Sequence, residues 1–193
     1  LEFFSKEELR KYGIGGGILR IFGNISMPGI DATTGSLGHG QGIGAGFALA
    51  AKKDSSKQKT YVIVSEGEMY EGSIWESAMF GAHQGLGKLV AIIDRNRQIT
   101  LDYTEDVNRL DPLPQKWEAF GWEVIELDGH AFEDIFRAWE HVRARQSERP
   151  IALIANTIKG KGVSFLEGDL AWHHNVPSGE QLEIARRELE IDV

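Results

Sequence analysis

The sequence predicts an α/β domain built in three layers, α/β/α, around a mostly parallel sheet. Two observations lead there. Four short segments, Tyr61-Val62-Ile63-Val64, Leu89-Val90-Ala91-Ile92-Ile93, Glu123-Val124-Ile125-Glu126-Leu127 and Ile151-Ala152-Leu153-Ile154-Ala155, have the length and aliphatic content of buried strands. Between them the apolar residues recur at helical spacing. Strands alternating with helices build a doubly wound sheet, whose ligands sit beyond the carboxyl ends of the strands.

Taken in order, Ser5-Lys6-Glu7-Glu8 has the pattern of a capping box and predicts a short helix to about Tyr12. From Gly13 to Gly42 glycine is frequent and no period is sustained, which predicts a loop-dominated stretch. The small residues of Gly44 to Lys53 predict a helix able to pack closely on a sheet. After the first strand, Trp75, Ala78, Met79 and Ala82 mark one helical face. Phe132, Ile135, Phe136, Trp139 and Val142 mark another between the third and fourth strands, and Ser178 to Val193 reads as a charged amphipathic helix. No linker, repeat or low-complexity tract divides the chain, so residues 1–193 are expected to form a single domain.

A chain of 193 residues with 41% hydrophobic content can bury a substantial core. Its net charge of −8 argues against nucleic acid or an anionic membrane as partner, since either calls for a basic surface. Small molecules and other proteins are the expected partners. There is no cysteine, which excludes disulfides and thiolate metal sites and makes the cytoplasm the expected compartment. No apolar run is long enough to span a bilayer as a helix, and the start at Leu1 without Met suggests truncation.

The chemistry is expected at the strand ends. Ser65-Glu66-Gly67-Glu68 closes the first strand and Asp94-Arg95-Asn96 the second. A carboxylate, an amide oxygen and a nearby carbonyl form a hard oxygen set suited to Mg²⁺, which fills its remaining positions with water and phosphate oxygens. Gly67 and the helix start near Ser73 could offer N–H groups to the same phosphates. The plainer alternative is that Glu66 and Asp94 are polar strand ends and Asn96 a turn former.

Further elements run in a distinctive order: Thr33-Thr34-Gly35-Ser36-Leu37-Gly38-His39-Gly40, the acid-glycine element from Ser65 to Gly72, Asn96, Lys116-Trp117 to Trp122, Asp128-Gly129-His130, and Lys159-Gly160-Lys161-Gly162 with Trp172-His173. In order and spacing they resemble the N-terminal, diphosphate-binding subunit of a split transketolase, over nearly the whole chain. The resemblance implies thiamine diphosphate and Mg²⁺ as cofactors. It implies Glu66, Asn96 and the main-chain carbonyl of Gln98 as metal ligands, Gly67 as an N–H donor to the diphosphate, and Gly35, Ser36 and Leu37 beside the cofactor's rings. His173 is implied near diphosphate and substrate, and Glu71 at a subunit interface linking paired active sites.

The activity so implied is transfer of a two-carbon ketol unit from a ketose phosphate to an aldose phosphate. The cofactor serves as electron sink while the protein anchors it. A pyrimidine-side partner subunit, in a heterotetramer, would supply the glutamate that this half lacks, so a homodimer of this chain alone should be inactive. Three departures from the family pattern stand out. Ser65-Glu66-Gly67 replaces Gly-Asp-Gly, adding a methylene to a metal ligand. Ile21-Phe22-Gly23-Asn24-Ile25 stands where a Gly-His-Pro histidine is usual, and the family's Ser-Lys-Gly-His element is not present. These leave two alternatives open: a specialised ketolase of sugar biosynthesis, and a degenerate subunit that binds a partner without turnover.

Overall fold

The computed structural model describes residues 3–190. Four strands, β1 (Thr60–Ser65), β2 (Leu89–Arg95), β3 (Glu123–Asp128) and β4 (Ile151–Asn156), form one parallel sheet in the order β1-β2-β4-β3. Every expected strand is present. The first two run on into polar residues at their carboxyl ends, and the register sets Ser65 opposite Asp94 and Arg95 opposite Asn156. The ladder therefore brings the acid-glycine turn and the Asn96 turn to neighbouring strand ends, about 5 Å apart.

Side chains alternate between the two faces of the sheet. Val62, Val64, Ala91, Ile93, Ala152 and Ile154 point to the larger core, beneath α2 (His39–Lys53), α3 (Gly72–His83) and α5 (Leu113–Ala119). Val90, Ile151 and Leu153 point to the other face, where Ala138 and Val142 of α6 (Phe132–Ala144) cover them. This is the three-layer arrangement the alternation predicts. Trp117 and Trp122 are fully buried in the larger core, edge to face at 4.8 Å, and the Trp122 indole donates to Ala78 O at 2.8 Å. Each such ring removes ~200 Å² from water, an upper estimate of about 5 kcal/mol.

Several local expectations need correction. α2 begins at His39, five residues before Gly44, because packing on the sheet and on α3 overrides the low helix propensity of its glycines. The contact is close at Gly44: a Cβ there would lie 2.2 Å from Val62 Cγ2. On α3 the buried face is Ile74, Ala78 and Gly81, whereas Met79 is exposed. On α6, Phe132 and Phe136 are exposed and the buried face is Ala138 and Val142. Helical period identifies an apolar stripe but not what covers it.

The first helix, α1, spans only Lys6–Leu9, and Ser5 caps it by position without a side-chain hydrogen bond to the helix N–H groups, so the capping box does not form. A short helix α4 (Thr104–Val107) was not signalled by any apolar period. The C-terminal helix α7 (Glu180–Glu188) is docked by Ser164, whose N–H and Oγ–H both donate to Glu188 at 2.7 Å. The last residues of the expected tail helix, 191–193, lie outside the described residues. No helix among the described residues is long and apolar enough to cross a membrane.

Candidate active site

Beyond the carboxyl ends of β1 and β2 the chain makes two turns that bond directly to each other. Glu66 is buried, and its carboxylate accepts from the Arg95 guanidinium on one oxygen and from the Arg97 N–H on the other. Arg95, itself 2% exposed at its side chain, also meets Thr104 Oγ1 at 3.4 Å, Glu105 at 3.2 Å and Asp111 at 2.9 Å. One buried cation thus pairs with a wholly buried carboxylate and with two partly exposed ones, of which Asp111 is shared with Arg97. Burial raises the Glu105 and Asp111 carboxyls, yet Arg95 and neighbouring N–H groups outweigh it, and both sit below their ordinary values.

The Asn96 turn is held from within. Asn96 Oδ1 accepts from the Gln98 N–H at 3.0 Å, and its Nδ2 donates to Asp94 Oδ2 at 2.9 Å. Asp94 also accepts from Thr157 Oγ1, which joins this turn to the segment after β4. The Gln98 side chain donates to Gly168 O at 2.5 Å and pairs by backbone with Tyr103.

The loop from Thr33 to Leu37 borders a cavity of about 370 Å³ whose other walls are His39, Gly40, Ile43, Ile63 and Glu68. Gly35, Ser36 and Leu37 all line it, with Leu37 exposed. Glu71 stands exposed at the start of α3, its Cβ beside Gly38. His173 reaches the site from the short 3₁₀ turn Leu170–His173. Its Nδ1 lies 3.0 Å from Lys159 Nζ and its Nε2 lies 2.9 Å from Thr100 Oγ1. An ammonium only donates, so Nδ1 is the acceptor and the proton is assigned to Nε2. Burial, then the charges of Lys159 and His174, hold this imidazole below its ordinary value.

Short contacts join the sequence-derived site residues other than Glu71, which adjoins them only beside Gly38. Glu66 meets the Asn96 turn through Arg97 N–H, Gly67 follows Glu66, and Gln98 lies within that turn. His173 meets it through Thr100, and the Gly35–Leu37 loop is joined to the acid-glycine turn through Gly38 and Glu68. An anionic cofactor suits the donor at Gly67, whose N–H opens the 3₁₀ turn Gly67–Tyr70 with no acceptor in it, whereas the next two N–H groups are engaged by Ser65 Oγ and Glu66 O. For a metal ion the fit is partial. Asn96 Oδ1 retains a lone pair beyond the one it gives to Gln98 N–H, but the Glu66 side chain is 0% exposed, so its carboxylate can reach a metal only by turning out of its contact with Arg95. Among the described residues no group of three or more His, Asp and Glu side chains is placed to hold a metal; the expected set, with one carboxylate, is not of that kind.

The comparisons with known proteins decide the family. Residues 23–192 match the family model described as transketolase, thiamine diphosphate binding domain. The chain belongs to the transketolase family. One subunit of the apulose-4-phosphate transketolase of Phocaeicola vulgatus is 46% identical over 97% of this chain and 66% of the relative. The 6-deoxy-6-sulfo-D-fructose transketolase subunit SqwG of a Clostridium species is 44% identical over 84% of this chain and 58% of the relative. Among solved structures, the transketolase of Campylobacter jejuni superposes with a TM-score of 0.89 at 28% identity, covering 96% of this chain and 30% of that one. This transketolase-family chain therefore spans at most 66% of the length of these relatives.

Sequence reasoning did not single out Arg95 or Glu68. For Arg95 a signal exists: the period of two that buries Ala91 and Ile93 places it on the same face. For Glu68 no local pattern points to its partner thirty residues away.

Proposed function

We propose that this chain is the diphosphate-binding half of a split transketolase. With a pyrimidine-side partner subunit it moves a two-carbon ketol unit from a ketose phosphate to an aldose phosphate. The observation that carries this reading is the convergence of the acid-glycine turn, the Asn96 turn, the Thr33–Leu37 loop and His173 at one end of a parallel sheet, in a chain of the thiamine diphosphate binding family.

When bound, thiamine diphosphate supplies the nucleophilic carbon and the electron sink that carbon–carbon bond cleavage requires. The protein's part is anchorage and proton placement. Gly67 donates its N–H to the diphosphate. Glu66, were it to leave Arg95 and the Arg97 N–H, would join Asn96 Oδ1 and the main-chain oxygen of Gln98 as the residues that would hold Mg²⁺. Gly35, Ser36 and Leu37 wall the cavity on the ring side. His173 is neutral near pH 7 and offers Nε2–H to an anionic oxygen once Thr100 yields that bond. Glu71 stands exposed at the start of α3, and further along α2 and α3 the large apolar residues Phe47, Met79 and Phe80 are also exposed, which supports contact between two copies and hence a heterotetramer with two partner subunits. The absence of cysteine from all 193 residues fits a cytoplasmic setting.

The names of the relatives support a specialised ketose as donor, as does the segment Ile21–Ile25, which carries no histidine where the family usually has one. One observation favours a second reading, a subunit that keeps the fold and the contacts but not turnover: Glu66 is wholly buried and paired. Calorimetric titration of thiamine diphosphate, with and without Mg²⁺, into the chain alone and with its partner separates the two. Binding that depends on Mg²⁺ and strengthens with the partner is expected. No binding by a folded, partnered protein would favour the second reading.

A further inference from the structure

We propose that Glu68 is the positioning residue of the cofactor pocket, tying the loop that walls the pocket to the end of the first strand. The proposal rests on the reading of that pocket as the thiamine diphosphate site. Glu68 Oε1 accepts from the Gly38 N–H at 3.2 Å, and Oε2 accepts from the Ser65 N–H at 3.0 Å and from Ser65 Oγ at 3.4 Å. One carboxylate thus bridges the start of α2 and the end of β1, two segments that no backbone hydrogen bond joins there. Gly38 is held from its other side by Ser73, whose Oγ donates to Gly38 O at 2.9 Å.

The clamped residue has little freedom. Gly38 has φ +83°, and a Cβ on it would lie 2.5 Å from Glu71 Cβ and 2.6 Å from Ser73 Oγ. With its N–H tied to Glu68 and its carbonyl to Ser73, Gly38 is anchored to β1 and α3, and it fixes the end of the Gly35–Leu37 loop that leads into it. A carboxylate suits the task better than an amide. It presents acceptors only, to two N–H groups in different segments, and its charge faces the N-terminal end of the 15-residue α2, where the helix dipole favours an anion. Glu68 also lines the cavity itself, so its position and the cavity's width are set together.

The test uses the protein assembled with its partner subunit and compares wild type, Glu68→Gln and Glu68→Ala. Hydrogen exchange of the Gly38 and Ser65 amides reads the clamp without any cofactor. Thiamine diphosphate titration reads its consequence. Glu68→Ala is expected to speed exchange at both amides and to weaken cofactor affinity about tenfold, the scale on which loss of an outer-shell partner acts. Glu68→Gln, which keeps one acceptor oxygen, should recover part of both. Faster exchange with unchanged affinity would reduce Glu68 to a structural tie and overturn the positioning role. Unchanged exchange in Glu68→Ala would overturn the clamp. Failure of the wild type itself to bind the cofactor would overturn the reading of the pocket, and the positioning role with it.

Discussion

Replacing Arg95 by Met is the most informative single perturbation of this fold. The long apolar side chain of Met fills most of the space of the Arg stem, so the change is chiefly electrostatic. What remains is Glu66, 0% exposed at its side chain, with no cation to balance it. Removing one partner of a buried ion pair costs ~3–5 kcal/mol, because the survivor is left charged in a poor solvent. Glu105 and Asp111 add little, since their carboxylates are 30% and 46% exposed and water replaces much of what Arg95 gave them. For a domain of this size ~3–5 kcal/mol corresponds to a fall in Tm of about 6–20 °C. Thermal unfolding followed by circular dichroism measures it. The double variant Arg95→Met with Glu66→Gln should recover most of the loss, because no charge is then stranded. A single variant that loses less than about 1 kcal/mol, or a double variant as unstable as the single, would refute the claim that Arg95 acts by neutralising Glu66.

Glu66→Asp should draw the carboxylate back from Arg95 and lower the Mg²⁺ concentration that half-saturates cofactor binding; a higher requirement in calorimetry would mean the backbone has adapted to glutamate. Asn96→Ala removes the bonds to Gln98 N–H and Asp94, and should cost about 1 kcal/mol of stability. It should also weaken Mg²⁺-dependent binding at least tenfold, which titration against wild type checks. The His173 ring should titrate below its ordinary value in NMR, and Lys159→Met should raise its midpoint by removing one of the two charges that depress it. Because the folded state holds this imidazole below its unfolded value, the unfolded chain binds more protons just below pH 6.5, so this group's contribution makes stability rise with pH there. Glu105 and Asp111 have the opposite origin and the same sign. Their depressed carboxyls stabilise the fold above about pH 4, and that contribution is lost as pH falls through the folded values, a loss the Arg95→Met variant should show less of in acid titration.

The sheet was legible because its strands carry their own evidence: continuous apolar runs such as Leu89–Ile93 and Ile151–Ala155, short and followed by polar residues, suit strands of a sheet covered on both faces. The site's location followed from the same pattern, through the polar residues at the ends of β1 and β2. What stayed hidden was pairing across the fold. Arg95 reaches Glu66 across twenty-nine residues and Glu68 reaches Gly38 across thirty, and only the register of β1 on β2 and the seating of α2 bring those groups together. The start of α2 was obscured for a related reason: Gly38 to Gly42 reads locally as loop, and the helix there owes its existence to the surfaces it touches. Phe132 and Phe136 misled because an apolar residue on a helical face names a preference, while Ala138 and Val142 are the ones the sheet meets.

At Gly44 the backbone of α2 rests on Val62 with no side chain between them. That point is a fulcrum. Six residues toward its start, about 9 Å at the rise of an α-helix, the same rod carries Gly38 and the mouth of the cavity. A lone methyl group inserted at position 44 would act as a wedge, lifting or tilting the rod and spreading the mouth, although nothing at the wedge touches what the cavity holds. A survey that scored variants by ligand affinity alone would rank such a position among the contact residues, and only the height of the helix above the sheet would tell the two apart.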